Sequence, residues 1–150
     1  MPSPIDDRLI TTFGRLVESY SRLEQRLGPA METEVGLPHA WFEVLIRLAR
    51  SENGQLTMGA LADEIALTTG GVTRLIDRMH KAGYVERRPC TTDRRISFAA
   101  ITGSGREILD RAAVGHARNL RELFADFSND DLTALDGLLD RLRDRAQRDD

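Results

Sequence analysis

Apolar side chains recur at three- and four-residue spacing through most of this chain, the signature of amphipathic helices. Leu9, Phe13, Leu16, Val17, Tyr20, Leu23 and Leu27 make the first stripe, which predicts a helix over residues 6–28 ended by Gly28 and Pro29. Residues 31–36 then read as a connector, and Leu37–Pro38 opens a second helix carrying Trp41, Leu45 and Leu48 on one side, with Phe42, Val44 and Ile46 widening its apolar surface. Ser51 to Gln55 reads as a polar turn, and Leu56 as a very short strand. Leu61, Ala62 and Ile65 mark a short helix over residues 58–65, followed by the tight turn 66–68. Val72, Leu75, Ile76 and Met79 mark the next helix, with Thr68 or Thr69 as its N-cap and Gly83 as its left-handed stop.

The period then changes. Residues 84–88 and 96–101 alternate roughly as two strands, and the polar tip 89–95 between them carries Arg94 and Arg95. Thr102 is placed to cap a helix over residues 103–124, and Ser128 to cap a last helix with the stripe Leu132, Leu135, Leu138, Leu139 and Leu142. The predicted fold class is mainly α: a winged helix-turn-helix unit over residues 55–102 with a small β-hairpin wing, flanked by N- and C-terminal dimerisation helices (6–28 and 103–147), all within one domain of 150 residues.

Charge sharpens this picture. Between Arg74 and Arg95 lie seven basic and three acidic side chains, so that segment stands at +4 inside a chain of net charge −3. A basic patch on an acidic body is the footprint of a site-directed DNA binder. On the second helix of the unit, Gly70, Thr73, Arg74, Asp77 and Lys81 fall opposite the apolar stripe, with Arg78 beside them. Arginine can pair with a guanine edge, threonine can meet a thymine methyl, and glycine permits close approach. At the hairpin tip Arg94 and Arg95 can reach a minor groove, where Asp93 can hold and aim the Arg95 guanidinium. The predicted DNA-contact set is therefore Thr68, Thr69, Gly70, Thr73, Arg74, Arg78, Lys81, Arg87, Arg88, Asp93, Arg94 and Arg95. Arg87 and Arg88 serve as phosphate contacts or as strand-edge charges. The spare leucines of the terminal helices call for a second copy, which also sets two reading helices about one DNA turn apart on a palindromic site.

Other chemistry finds little support. His39, His80 and His116 lie far apart in sequence without a neighbouring cysteine ligand, so no metal or other cofactor is expected. No nucleophile–base pattern suggests an enzyme. The single cysteine, Cys90, excludes an internal disulfide, and the absence of a membrane-length apolar run or a leader pattern makes a cytoplasmic protein the expectation.

The run Val72–Thr73–Arg74–Leu75–Ile76–Asp77–Arg78–Met79, then Gly83–Tyr84–Val85–Glu86–Arg87, resembles the MarR family of winged-helix regulators over about residues 6–147. The most specific likeness is the wing, an Asp-x-Arg followed by Leu-Thr and Gly in the family and by Asp93, Arg95, Ile101, Thr102 and Gly105 here. Ala99 and Ala100 depart from the basic residue and valine frequent there. The resemblance implies a homodimeric repressor on palindromic double-stranded DNA, with Arg95 inserted in the groove. It also implies a small effector, commonly an aromatic or phenolic acid, held between the dimer helices and the winged unit. Tyr20, His39 and Phe42 are the candidate effector residues, with Trp41 nearby. The family's hydroperoxide sensors carry their cysteine near the N-terminus, unlike Cys90. Two alternatives are a winged helix used only for protein contact and a redox-responsive regulator acting through Cys90.

Overall fold

A computed structural model describes residues 1–65 and 69–147. Two compact units are distinguished, residues 1–116 and 117–150. Among the described residues there are six α-helices and one three-stranded sheet. No described helix is long and apolar enough to cross a membrane.

In the first unit, helix α1 (Arg8–Val35) starts where Asp7 accepts the Leu9 N–H at 2.7 Å. It runs through Pro29 and stops only at Gly36, whose φ of 70° places it in the left-handed region. The expected stop at Gly28–Pro29, and the connector expected to follow, are thus both corrected. Proline removes one backbone donor and crowds the preceding turn. Leu27 and Met31, on either side of it, are buried in the core, and that packing outweighs the local penalty.

Helix α2 (His39–Arg50) follows Pro38, which occupies the N-cap position rather than the first turn, and buries Phe42, Val44, Leu45 and Leu48. Strand β1 (Gln55–Thr57) leads into helix α3 (Met58–Glu64), capped by Thr57 Oγ1 accepting from the Ala60 N–H at 3.1 Å. Helix α4 (Thr69–Lys81) buries Val72, Leu75, Ile76 and Met79, the stripe read from the sequence. Gly83, at φ 84°, turns the chain into strand β2 (Val85–Pro89). Strand β3 (Ser97–Ile101) lies between β1 and β2, antiparallel to both, with Leu56 opposite Ala99 and Arg87 opposite Ala99 on the other side. Both alanines of β3, Ala99 and Ala100, are fully buried.

Thr102 locks the hairpin to the helix that follows, α5 (Gly103–Leu123). Its hydroxyl donates to the Gly83 carbonyl at 2.6 Å and accepts the Gly105 N–H at 3.0 Å, while its own N–H donates to the Tyr84 carbonyl at 3.1 Å. In the second unit, helix α6 (Asn129–Ala146) begins with a reciprocal cap between Ser128 and Asp131. It buries none of its residues; Leu132, Leu135, Leu138, Leu139 and Leu142 remain exposed.

Candidate nucleic-acid interface and effector cleft

The buried stripe of α4 fixes which side faces outward. Gly70, Arg74, Asp77, Arg78 and Lys81 are exposed, and Thr73 is half-buried. Thr69 is the first residue of α4, whereas Thr68 lies outside the described residues. The side chains of Arg74, Arg78, Lys81 and Arg94 make no hydrogen bond or ion pair with another described residue, so these four cations are available to a ligand.

The other arginines are engaged within the chain. Arg87 on β2 donates to Asp77 on α4 at 2.6 Å, tying the reading helix to the wing strand. Arg88 donates to Glu86 at 2.5 Å and to Gln55 at 3.3 Å, reaching past β3. Both geometries suit strand-edge charges.

At the wing tip, Asp93 organises Arg95 from three directions. It accepts the Arg95 backbone N–H at 3.0 Å, Nε at 3.2 Å and Nη2 at 3.2 Å. The Arg95 side chain hydrogen bonds first, then its backbone N–H, hold the Asp93 carboxyl below its ordinary range. The guanidinium nonetheless projects outward, with 90% of the Arg95 side chain exposed. The turn is closed by Cys90 N–H to the Ile96 carbonyl at 3.1 Å and Ile96 N–H to the Asp93 carbonyl at 3.2 Å. Cys90 Sγ sits 3.2 Å from Thr92 Oγ1, and that contact, followed by the backbone N–H groups of Thr92 and Asp93, lowers the thiol pKa.

A separate cleft of about 400 Å³ is lined by Tyr20 and Glu24 from α1, His39, Ala40, Glu43 and Arg47 from α2, and Glu64, Ile65 and Leu75 from the helix-turn-helix. His39 is its hub. Nδ1 is 2.7 Å from Glu24 and Nε2 is 3.5 Å from Glu43. Arg47 donates to both the carboxylate and the carbonyl of Glu43, and its Nε lies 3.9 Å from Glu64. The Tyr20 hydroxyl is pushed up, by burial first and then by the charges of Glu24 and Glu43.

Of the three effector candidates, Tyr20 and His39 line this cleft. Phe42 does not; it is buried beneath, its ring stacked 6.1 Å from His39 and edge-on to His116 at 5.0 Å. Trp41 meets Tyr84 edge-on at 6.1 Å. Sequence reasoning missed Glu24, Glu43, Arg47 and Glu64. The four-residue spacing of His39, Glu43 and Arg47 along one helix was the available signal.

The fold also brings the His39 and His116 rings to 5.8 Å. His116 Nδ1 is buried without a partner among the described residues, and its pKa is lowered by burial first and by His39 second. His80 lies apart, its Nδ1 donating to the Val85 carbonyl at 3.0 Å. No cluster of three or more acidic, histidine or cysteine side chains among the described residues has the form of a metal site.

Known proteins share this fold. The MarR family profile matches residues 35–96. The HTH-type transcriptional regulator PapX of Escherichia coli is 27% identical over 96 residues, which is 64% of this chain and 58% of PapX. The chain thus spans less than two thirds of that relative. The HTH-type transcriptional regulator YcgE of Bacillus subtilis is 43% identical over 61 residues, 40% of either chain. Among solved structures, Sco3205, a MarR family transcriptional regulator from Streptomyces coelicolor in complex with DNA, superposes with a TM-score of 0.82 at 27% identity, covering 92% of this chain and 90% of that one.

Proposed function

The chain belongs to the MarR family of winged-helix regulators, and from that premise we propose that it is a sequence-specific DNA-binding transcriptional repressor. It acts as a homodimer on a palindromic operator and releases it when a small molecule occupies the cleft. The observation that carries this reading is the coupled pair of basic elements. The outward cations Arg74, Arg78 and Lys81 stand on α4, and Arg95 is aimed by Asp93 at the tip of a wing tied to α4 through Arg87 and Asp77.

In this reading α4 enters the major groove, N-terminal end first, with Thr68, Thr69, Gly70, Thr73 and Arg74 nearest the base edges. Arg78 and Lys81 meet phosphates, as do Arg87 and Arg88 where their internal pairs permit. Arg94 and Arg95 enter the minor groove. Dimerisation follows from apolar surface that neither unit covers by itself: Leu9, Phe13 and Val17 on α1, and Leu138 and Leu142 on α6.

Ligand response has a structural route. The cleft is walled by α1 and α2 on one side and by Glu64, Ile65 and Leu75 on the other, and Leu75 belongs to the reading helix itself. An occupant that favours one spacing of these walls shifts α4, and only such differential binding can change operator affinity.

Selection of bound duplexes from a random pool, with sedimentation to give the oligomeric state, tests the reading. A two-fold symmetric site bound by a dimer is the expected outcome. No enriched sequence would favour a winged helix used for protein contact alone.

A further inference from the structure

The side chains around the cleft have an unbalanced charge. Glu24, Glu43 and Glu64 contribute three carboxylates and Arg47 a single guanidinium. The lining is negative whether His39 is neutral or protonated. One nitrogen of that guanidinium is already engaged: Nη1 donates to the carboxylate and the carbonyl of Glu43. A carboxylate entering the cleft would share that single guanidinium with Glu43 and face the charge of three glutamates.

A cation meets the opposite situation. Among the described residues, the Glu64 carboxylate has no partner closer than the 3.9 Å approach of Arg47 Nε. Glu24 keeps acceptor capacity beside its contact with His39, since a carboxylate accepts more than one hydrogen bond. Ile65 and Leu75 supply apolar wall, and Tyr20 supplies an aromatic ring, whose face attracts a cation. The raised pKa of the Tyr20 hydroxyl, due first to burial and then to the charges of Glu24 and Glu43, registers the same negative field.

We propose that this cleft selects a positively charged effector, a protonated amine on a flat apolar body, and discriminates against aromatic carboxylates. The inference rests on the ligand-responsive reading above and specifies the charge of its ligand. It departs from the phenolic acids that the family resemblance implies. The ammonium bridges Glu24 on α1 and Glu64 on α3, while the apolar body lies against Leu75 of α4. The ligand thereby holds the reading helix to the N-terminal helix.

Three probes of one shape separate the possibilities: 2-naphthylmethylammonium, 2-naphthylmethanol and 2-naphthoate, titrated calorimetrically into the full chain at neutral pH without DNA. The ammonium is expected to bind about tenfold more tightly than the naphthoate, the scale of a few half-exposed charge contacts. Glu64→Gln and Glu24→Gln, each checked for folding by circular dichroism, should each weaken the ammonium by about threefold and leave the alcohol unchanged. Naphthoate binding as tightly as the ammonium, no binding by any probe, or an ammonium affinity indifferent to both substitutions would each overturn the proposal. Operator release is then measured with the same probes. An ammonium that binds as expected yet leaves the operator bound sustains the charge preference and refutes the ligand response. A naphthoate that releases the operator does the reverse.

Discussion

The Tyr84 carbonyl oxygen lies 2.2 Å from the point where a β-carbon on Gly105 would stand. This is where the hairpin meets α5, and Thr102 seals the junction with three hydrogen bonds. Alanine normally stabilises a helix relative to glycine, by about 1 kcal/mol. Here the atom in the way is backbone and cannot rotate aside, so the sign reverses. Gly105→Ala should cost about 1–3 kcal/mol, read as a lower urea midpoint. Gly59→Ala is the control, because a β-carbon there meets nothing within 4 Å. That variant should be neutral or slightly stabilising. Equal effects at the two sites would show that the junction yields.

Asp93 and Arg95 make the wing testable without disturbing the core. Arg95→Ala removes a side chain that is 90% exposed, so its thermal midpoint should hardly move. Affinity for a selected operator should drop by about 1–3 kcal/mol, and the salt dependence should flatten by about one unit. Asp93→Asn keeps the guanidinium and loses its orienting charge, so a smaller loss is expected with the salt slope retained. Unchanged operator affinity in Arg95→Ala would remove the wing from the interface.

Much of this was legible in the sequence because the signals are local. Asp93 and Arg95 are two residues apart, Thr102 caps within three residues, and the stripe of α4 repeats along one helix. Legibility failed where distant packing decided the outcome. Gly28 and Pro29 carry every local mark of a helix end, yet Leu27 and Met31 are drawn into the core and α1 continues. The cleft was hidden for the same reason, since Glu24, Glu43 and Glu64 stand on three helices and no linear spacing joins them.

Pro29 therefore sits in α1 against its own preference, and the half-way test is simple. Pro29→Ala restores a backbone donor to a helix that already runs through the site. A gain of about 1–2 kcal/mol is expected, the helix penalty less the unfolded-state entropy that proline removes. A loss of stability on chemical denaturation would mean that the proline ring itself is packed favourably.

His116 gives the fold an acid limb. Its pKa is lowered below 6.5 by burial and by His39, and the charges of Glu43 and Glu24 oppose the shift only in part. The unfolded chain therefore takes up this proton at a higher pH than the native one. The stabilising contribution is complete above the unfolded value, falls as pH drops through 6.5, and levels off below the native pKa. His116→Phe cannot titrate and keeps a ring against Phe42. Urea midpoints measured between about pH 5 and 7.5 should fall less steeply in that variant. Parallel slopes in the two proteins would assign the acid limb to other groups.

The apolar side of α1 is the place to test assembly. Leu9, Phe13, Leu16 and Val17 follow helical spacing, and Phe13 is 65% exposed, so an isolated chain has little fold stability invested in it. Phe13→Glu should consequently fold with a nearly unchanged melting curve at low concentration. In a dimer the same substitution buries a carboxylate among apolar side chains, which costs far more than the lost contact. Sedimentation equilibrium should then give a monomer for the variant and a dimer for the parent chain. Operator affinity should collapse with it, because a palindrome read by one copy loses half of its contacts and the fixed spacing between them. A variant that stays dimeric and keeps its affinity would place the subunit contact elsewhere, with the leucines of α6 the next surface to change.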